Sequence, residues 1–239
     1  MTDLTLAPSV VQALQSISTA TITTILFKQG LRNIWLRGPK PLRQEQPRIV
    51  GRAFTLRFIP AREDLATPQA WSSPRSTRVA IEAMPADSVI VADAMGVTDA
   101  GIVGDILCAR MVQRGVKALI TDGVVRDVTG VLASALPVWA RGTAAPAAVS
   151  SLHFANWDEP VACGGVAVFP GDILVADDDG VIVIPDAYLQ KVLEQGSEQE
   201  ELEAWIYRQV ENGAALPGMY PPSVETLERY EHERRGNGS

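Results

Sequence analysis

Two short segments carry side chains and amides that could do chemistry together. Gly104-Asp105-Ile106-Leu107 stands at the predicted start of a helix over 105–114. The first N–H groups of a helix have no internal partner and the helix dipole adds partial positive charge there. The amides near Asp105, Ile106 and Leu107 can therefore hold a small carboxylate. Taken alone, Asp105 reads better as a simple N-cap. The second segment, Thr121-Asp122-Gly123-Val124-Val125-Arg126-Asp127, follows a predicted strand, and sites gather at strand ends in α/β folds. Arg126 offers a fork of donors to a carboxylate or a developing enolate oxygen. Asp127 is a hard oxygen ligand suited to Mg2+, which keeps several waters and often takes one or two protein carboxylates. In isolation this pair reads better as a surface ion pair. One helix and one strand join the two segments, so both can lie on one edge of a sheet, and that juxtaposition strengthens both.

The scarce residues narrow the chemistry. The 239 residues hold two histidines, His153 and His232, and two cysteines, Cys108 and Cys163. A three-His zinc site or a four-ligand cysteine site is impossible within one such chain. What is left is the chemistry of carboxylates, arginines, hydroxyls and four lysines, with a hard metal ion. The net charge of −7 argues weakly against a nucleic-acid binder. It hides a local excess: nine Lys or Arg between Lys28 and Arg62 face one acid, Glu45, a balance of +8 against −15 elsewhere. The opening MTDLTLAPSVVQALQ has no basic n-region, and no run reaches the ~18 apolar residues of a spanning helix. Two cysteines without a secretory signal fit a reducing compartment. The expectation is a cytoplasmic protein with no membrane and no nucleic-acid partner.

The elements that must position the site follow from periodicity and caps. Helices are expected over 7–17, with Val10, Val11, Leu14 and Ile17 apolar, and over 19–29, with an N-cap at Ser18-Thr19 and a stop at Gly30. Residues 31–49, rich in proline and basic groups, are expected to be an irregular, exposed connection. Val50–Ile59 alternates as a strand, 60–75 is a loop, 76–84 a short helix and 87–93 a buried strand. After the helix at 105–114 come a strand at 117–123, a short helix at 129–135 and a strand at 137–142. Strands dominate after 160, and a long polar helix with a narrow apolar stripe covers 186–212. The proline-rich tail from Gly213 is expected to run extended. The alternation predicts α/β layers in one domain over 1–212, with 213–239 as an extension packed on it or on a neighbouring subunit.

Other chemistry-bearing residues are better explained structurally. Asp177-Asp178-Asp179-Gly180 lies between two apolar runs and reads as a hairpin turn. Lys117 begins a strand after Gly115 and is expected to point to solvent, not to form a Schiff base. Cys108 and Cys163 read as core filling. His153 falls in a stretch expected to be a loop or helix edge, with no triad motif near it.

The run GIVGDILCARMVQRGVKALITDGVVRD, followed by PVWARG and by GGVAVFPGDILVADDDGVIVIP, resembles the RraA-like superfamily. That family contains 4-hydroxy-4-methyl-2-oxoglutarate/4-carboxy-4-hydroxy-2-oxoadipate aldolases and ribonuclease E regulators. The likeness spans about 15–212, is densest at 100–185, and takes in SISTATITTIL as the opening helix. The loop at 60–75 and residues 213–239 lie outside the matched motifs. The resemblance implies an α/β fold, a single compact domain with a β/β/α swivelling-domain (phosphohistidine-domain-like) core, assembled as trimers or hexamers with sites between subunits. It implies that the amides of Gly104–Leu107 hold substrate, that Arg126 contacts the 2-oxo acid, that Asp127 anchors Mg2+ or Mn2+, and that Asp105 lies near the metal's waters. The regulator branch carries a non-acidic residue after the arginine, so Arg126-Asp127 favours an enzyme. Two departures touch the proton-transfer group. Thr24 stands where the family's opening helix usually has an acid, and the glutamate that a neighbour's C-terminal helix supplies is not identified, Glu201 and Glu203 both being available.

The chemistry these expectations describe is metal-dependent cleavage of a 2-oxo acid: retro-aldol of a 4-hydroxy-2-oxo acid to pyruvate, or decarboxylation of oxaloacetate through the same enolate. Asp105 would orient the base that takes the 4-hydroxyl proton. Dehydration of a 3-deoxy-2-oxo sugar acid would use the same enolate. Arg62, Arg75 and Arg78 flank the loop and either select a second anionic or polyhydroxy end of the substrate or sit in solvent, the latter being slightly preferred. The rival class is a non-catalytic regulator that docks on a ribonuclease.

Overall fold

Apolar residues along each strand divide between the two faces of one sheet, and that division builds the domain. The computed structural model describes residues 5–236. The strands are β1 (Lys40–Pro41), β2 (Ile49–Pro60), β3 (Ser88–Asp93), β4 (Ala118–Thr121), β5 (Val138–Ala140), β6 (Leu152–Trp157), β7 (Val161–Cys163), β8 (Val166–Val168), β9 (Ile173–Asp177) and β10 (Gly180–Ile184). The main sheet has the order β1-β5-β4-β3-β2-β9-β10. β2 through β5 run parallel, while β9 pairs antiparallel with both β2 and β10. β2 is long enough to change partners, pairing with β9 over Ile49–Arg52 and with β6 over Leu56–Pro60.

One set of alternate residues meets inside the curved sheet: Ala53, Val89, Val91, Ala118, Ile120, Trp139, Leu174, Ala176, Val181 and Val183. The Trp139 indole crosses this interior to donate to the Asp177 carbonyl at 2.9 Å. The other set faces outward under helices. Phe54, Leu56, Ile90, Leu119 and Val138 lie beneath α3 (Thr77–Ala83), α4 (Asp105–Gln113) and α5 (Val128–Ala133). Ile173, Val175, Ile182 and Ile184 lie beneath α1 (Pro8–Gln15), α2 (Thr19–Lys28) and α6 (Leu189–Glu211). Period-two alternation with both faces covered is what an internal sheet requires.

Three expectations are corrected. Residues 31–49 are largely irregular and exposed, as expected, but they are more than a connection. Trp35 bridges to Ile182 on one edge of the sheet, Lys40 and Pro41 pair with β5 on the other, and Leu36 between them is fully buried, so this segment nearly closes the sheet. His153 lies on β6 opposite Ile59, in neither loop nor helix. The tail is not extended throughout: Val224–Gly236 forms α7, which packs on α6 through Trp205, Ile206, Met219 and Tyr230. Gly213 (φ 94°) ends α6, and the prolines near 217–222 do not stop a second helix from forming beyond them.

The caps explain the other boundaries. Ser18 accepts from the Thr21 amide at 3.0 Å and starts α2, and Gly115 (φ 77°) ends α4. The Asp177–Gly180 segment is the hairpin turn expected of it, with Gly180 at φ 129°. Asp177 also ties that turn to α2, accepting from the Thr19 hydroxyl at 2.7 Å and the Thr19 amide at 3.1 Å. Among the described residues no single helix is long and apolar enough to cross a membrane.

Candidate active site

The loop after β4 and the start of α4 come together because backbone bonds splice them. The Arg126 amide donates to the Val103 carbonyl and the Ile102 amide to the Val124 carbonyl, at 2.9 and 3.0 Å. Gly101 permits this approach, since a β-carbon there would stand 2.7 Å from Arg126 Cβ. Asp127 adopts the left-handed conformation (φ 52°, ψ 45°), which a short polar side chain tolerates better than most. This turns its carboxylate back toward Gly104, whose absent β-carbon would meet Asp127 Oδ2 at 2.6 Å. Arg126 Nε donates to the same oxygen at 3.1 Å, with both side chains partly exposed.

Gly104, Asp105, Ile106, Leu107, Arg126 and Asp127 all line one cavity of about 220 Å3. That is below the ~300–1,000 Å3 of drug-sized sites and suits a small metabolite. Gly104 is the N-cap and Asp105 the first helical residue. None of the first-turn amides of α4 faces a helical carbonyl; that of Ile106 donates to Asp105 Oδ1 at 2.7 Å, which leaves those of Asp105 and Leu107 free among the described residues. Asp105 Oδ2 lies against Gly130 of α5, where a β-carbon would stand 2.6 Å away. Ile106 is 79% exposed, an uncommon place for so apolar a side chain.

Of the other wall, only Arg78 is among the candidates offered by the sequence. Trp71, Thr77 and Arg78, with Ala147 and Ala148, complete it. The Arg78 guanidinium stands 5.2 Å from the centre of the Trp71 ring. A tryptophan inside a polar loop, followed by arginines, was the one available signal. Arg62 is not part of the wall, being paired with Asp64 at 2.7 Å.

Several candidates lie elsewhere in the chain. Lys117 pairs with Asp87 at 3.5 Å at the opposite end of β4. Glu201 pairs with Arg234 at 3.0 Å, and Glu203 accepts from Gln199 at 2.7 Å. The Thr24 hydroxyl donates to the Ala20 carbonyl within its own helix. Burial pushes the Cys108 thiol up to about 12 and drives Cys163 well above its usual range. Neither is a nucleophile in this setting. Asp122 serves the loop itself. Nearly buried, it accepts from the Ala94 amide at 2.8 Å and the Gly164 amide at 3.1 Å, while burial raises its pKa.

Among the described residues no three His, Cys, Asp or Glu side chains converge. A hard divalent ion at Asp127 would thus take one carboxylate and complete its shell with water and substrate, the usual habit of Mg2+. Gly104 makes room for the Asp127 carboxylate itself, whose Oδ2 is taken by Arg126 while Oδ1 is left to meet an ion.

The comparisons with known proteins agree with this architecture. A family model described as RraA-like, Aldolase/RraA, matches residues 19–183 and so runs through the 60–75 loop as well. Protein DlpA of Legionella pneumophila is 31% identical over 87% of the chain, which spans only 33% of that relative's length. A protein of Halalkalibacterium halodurans named "Putative 4-hydroxy-4-methyl-2-oxoglutarate aldolase" is 34% identical over 67% of the chain and 70% of its own length. The crystal structure of Streptomyces coelicolor RraAS2, described as an unusual member of the RNase ES inhibitor RraA family, superposes with a TM-score of 0.74. It is 33% identical, over 84% of this chain and 96% of that one. With the matched region enclosing both α4 and the Arg126-Asp127 turn, the chain belongs to the RraA-like (Aldolase/RraA) family.

Proposed function

We propose that this protein is a divalent-metal-dependent lyase that cleaves a 2-oxo acid, releasing pyruvate from a 4-hydroxy-2-oxo acid or decarboxylating oxaloacetate. The observation that carries the reading is the meeting of Gly104–Leu107, Arg126 and Asp127 around one small cavity. Asp127, whose carboxylate is accommodated against Gly104, would hold Mg2+ or Mn2+. The ion supplies Lewis-acid polarisation of the 2-oxo group when bound.

The chain's own groups account for the remaining steps. The free amides at the start of α4 bind the substrate carboxylate. As the C3–C4 bond breaks, its electron pair moves onto the C2 oxygen, and Arg126 is placed to stabilise that charge with a donor beyond its bond to Asp127. Asp105 Oδ2, the oxygen not committed to the Ile106 amide, takes the 4-hydroxyl proton directly or through a water. Protonation of C3 then completes pyruvate, and the former C4 leaves as a carbonyl. For oxaloacetate the same electron flow expels CO2 and needs no base. We also propose assembly as a trimer or hexamer, and a cytoplasmic location.

Pyruvate release from a panel of 4-hydroxy-2-oxo acids and oxaloacetate, with Mg2+ and then with EDTA, tests the reading. Turnover that EDTA abolishes is the expected result. Turnover that survives EDTA removes the metal role, and no turnover together with ribonuclease binding replaces the lyase with a regulator.

A further inference from the structure

We infer that Arg78, seated on Trp71, selects substrates that carry an anionic group at the end away from the 2-oxo acid. This rests on the 2-oxo acid reading of the site. The cavity has two chemically different walls. One holds the helix-start amides, Asp105, Asp127 and Arg126, whose guanidinium is already engaged by Asp127. The other is made by Trp71, Thr77, Arg78 and Ala148, and its only charge is a cation. Trp71, Thr77 and Ala148 also border a second, smaller cavity of about 30 Å3 that Arg75 and His153 help to line.

The arginines of this region differ in what they already hold. Arg62 is neutralised by Asp64 at 2.7 Å and Arg110 by Glu82 at 2.7 Å. Among the described residues, neither Arg75 nor Arg78 has a carboxylate within 4.0 Å. The Trp71 ring fixes the Arg78 guanidinium through its face, 5.2 Å from the ring centre, and that contact uses none of its N–H donors. A planar fork held in place with its donors unspent is suited to a carboxylate or a phosphoryl group. An uncharged substrate end gains nothing from this exposed cation, which water then solvates, so discrimination arises from the pairing with an anionic end alone.

Calorimetric binding of three unreactive 2-oxo acids in the presence of Mg2+ tests the assignment. 2-Oxoglutarate ends in a carboxylate, 2-oxo-4-phosphonobutanoate in a phosphonate, and 2-oxopentanoate in a methyl group. The wild-type protein is expected to bind at least one of the two dianions about tenfold more tightly than the neutral-ended acid. Whichever dianion gains identifies the group that is read. Arg78→Met, which keeps the stem on Trp71, is expected to erase that preference and leave 2-oxopentanoate binding unchanged, which also shows the variant is folded. Arg62→Met, in the same segment, is expected to keep the preference. Equal binding of all three acids, a preference that survives Arg78→Met, or an equal loss for charged and neutral acids overturns the inference alone. Failure of all three to bind overturns the 2-oxo acid reading beneath it.

Discussion

Asp127 Oδ2 occupies the space that a β-carbon on Gly104 would need, since that carbon would stand 2.6 Å away. The backbone of Gly104 (φ −121°) suits any residue, so the requirement for glycine is one of room for the carboxylate. Gly104→Ala is expected to weaken Mg2+ affinity by about ten- to a hundredfold. Its cost to stability is about 1 kcal/mol, from the poorer cap. Metal titration followed beside thermal unfolding checks both numbers. A collapse of stability with intact metal binding would contradict the account.

Arg126 and Asp127 are expected to fail differently. Asp127→Ala removes the proposed metal anchor and lowers pyruvate release at least about a hundredfold at any Mg2+ concentration. Arg126→Lys keeps the charge but loses the fork, and a fall in kcat with nearly unchanged KM is expected. Steady-state kinetics on the best substrate of the panel separates the two.

The thiols offer a negative test. Cys108 is fully buried with its thiol pushed up to about 12, and Cys163 is equally buried. Neither is expected to alkylate with iodoacetamide at pH 8 in the folded protein, and activity should survive the treatment. Mass spectrometry of the treated protein reads the outcome, and modification of native Cys108 would refute it.

Tyr230 joins α7 to α6, with its ring 5.6 Å from that of Trp205. Its hydroxyl is buried with no hydrogen-bond partner among the described residues. Tyr230→Phe is therefore expected to be neutral or stabilising by up to about 1 kcal/mol. Tyr230→Ala leaves a cavity and costs about 3 kcal/mol. Urea unfolding of both variants gives the comparison.

Glu200 anchors α6 to the start of α2 by accepting from the Ser18 amide at 2.7 Å. Burial pushes its carboxyl up, but the bonds from Ser18 and Thr21 outweigh burial and leave its pKa below the usual value. A depressed carboxylate stabilises fully above its unfolded pKa and loses that contribution as pH falls through the folded one. Glu200→Gln is expected to cost about 1 kcal/mol at pH 7, with the gap to wild type closing as the pH drops below 4. Unfolding curves at pH 7 and in that acid range check the sign.

What could be read without coordinates had short-range causes. Ser18 and Gly115 mark helix ends by local chemistry, and Arg126-Asp127 and Gly104–Leu107 are separated by only one helix and one strand. What escaped depends on distant partners. Trp71 looks like any loop tryptophan until Ala148 closes the other side of its cavity. Leu36 sits in a basic, proline-rich stretch with no period to betray that it is fully buried inside the sheet. The polar α7 has so few apolar residues that only its distant partners Trp205, Ile206 and Met219 explain why Tyr230 is buried. Asp122 stands in the same motif as Arg126, yet only its two amide donors distinguish a structural carboxylate from a catalytic one.

The segment from Ile34 to Leu42 has a consequence for how this chain can meet others. Its backbone bonds the outer edge of β10 through Val183 and Leu36, and the outer edge of β5 through Leu42. Both ends of the main sheet are thereby capped by a single stretch of the same chain. Open strand edges are what invite a second molecule to extend a sheet by backbone pairing. With these two edges already spent, copies of the protein cannot join there as one continuous ribbon. Contact at those borders has to be made by side chains, and side chains are where one partner is told from another.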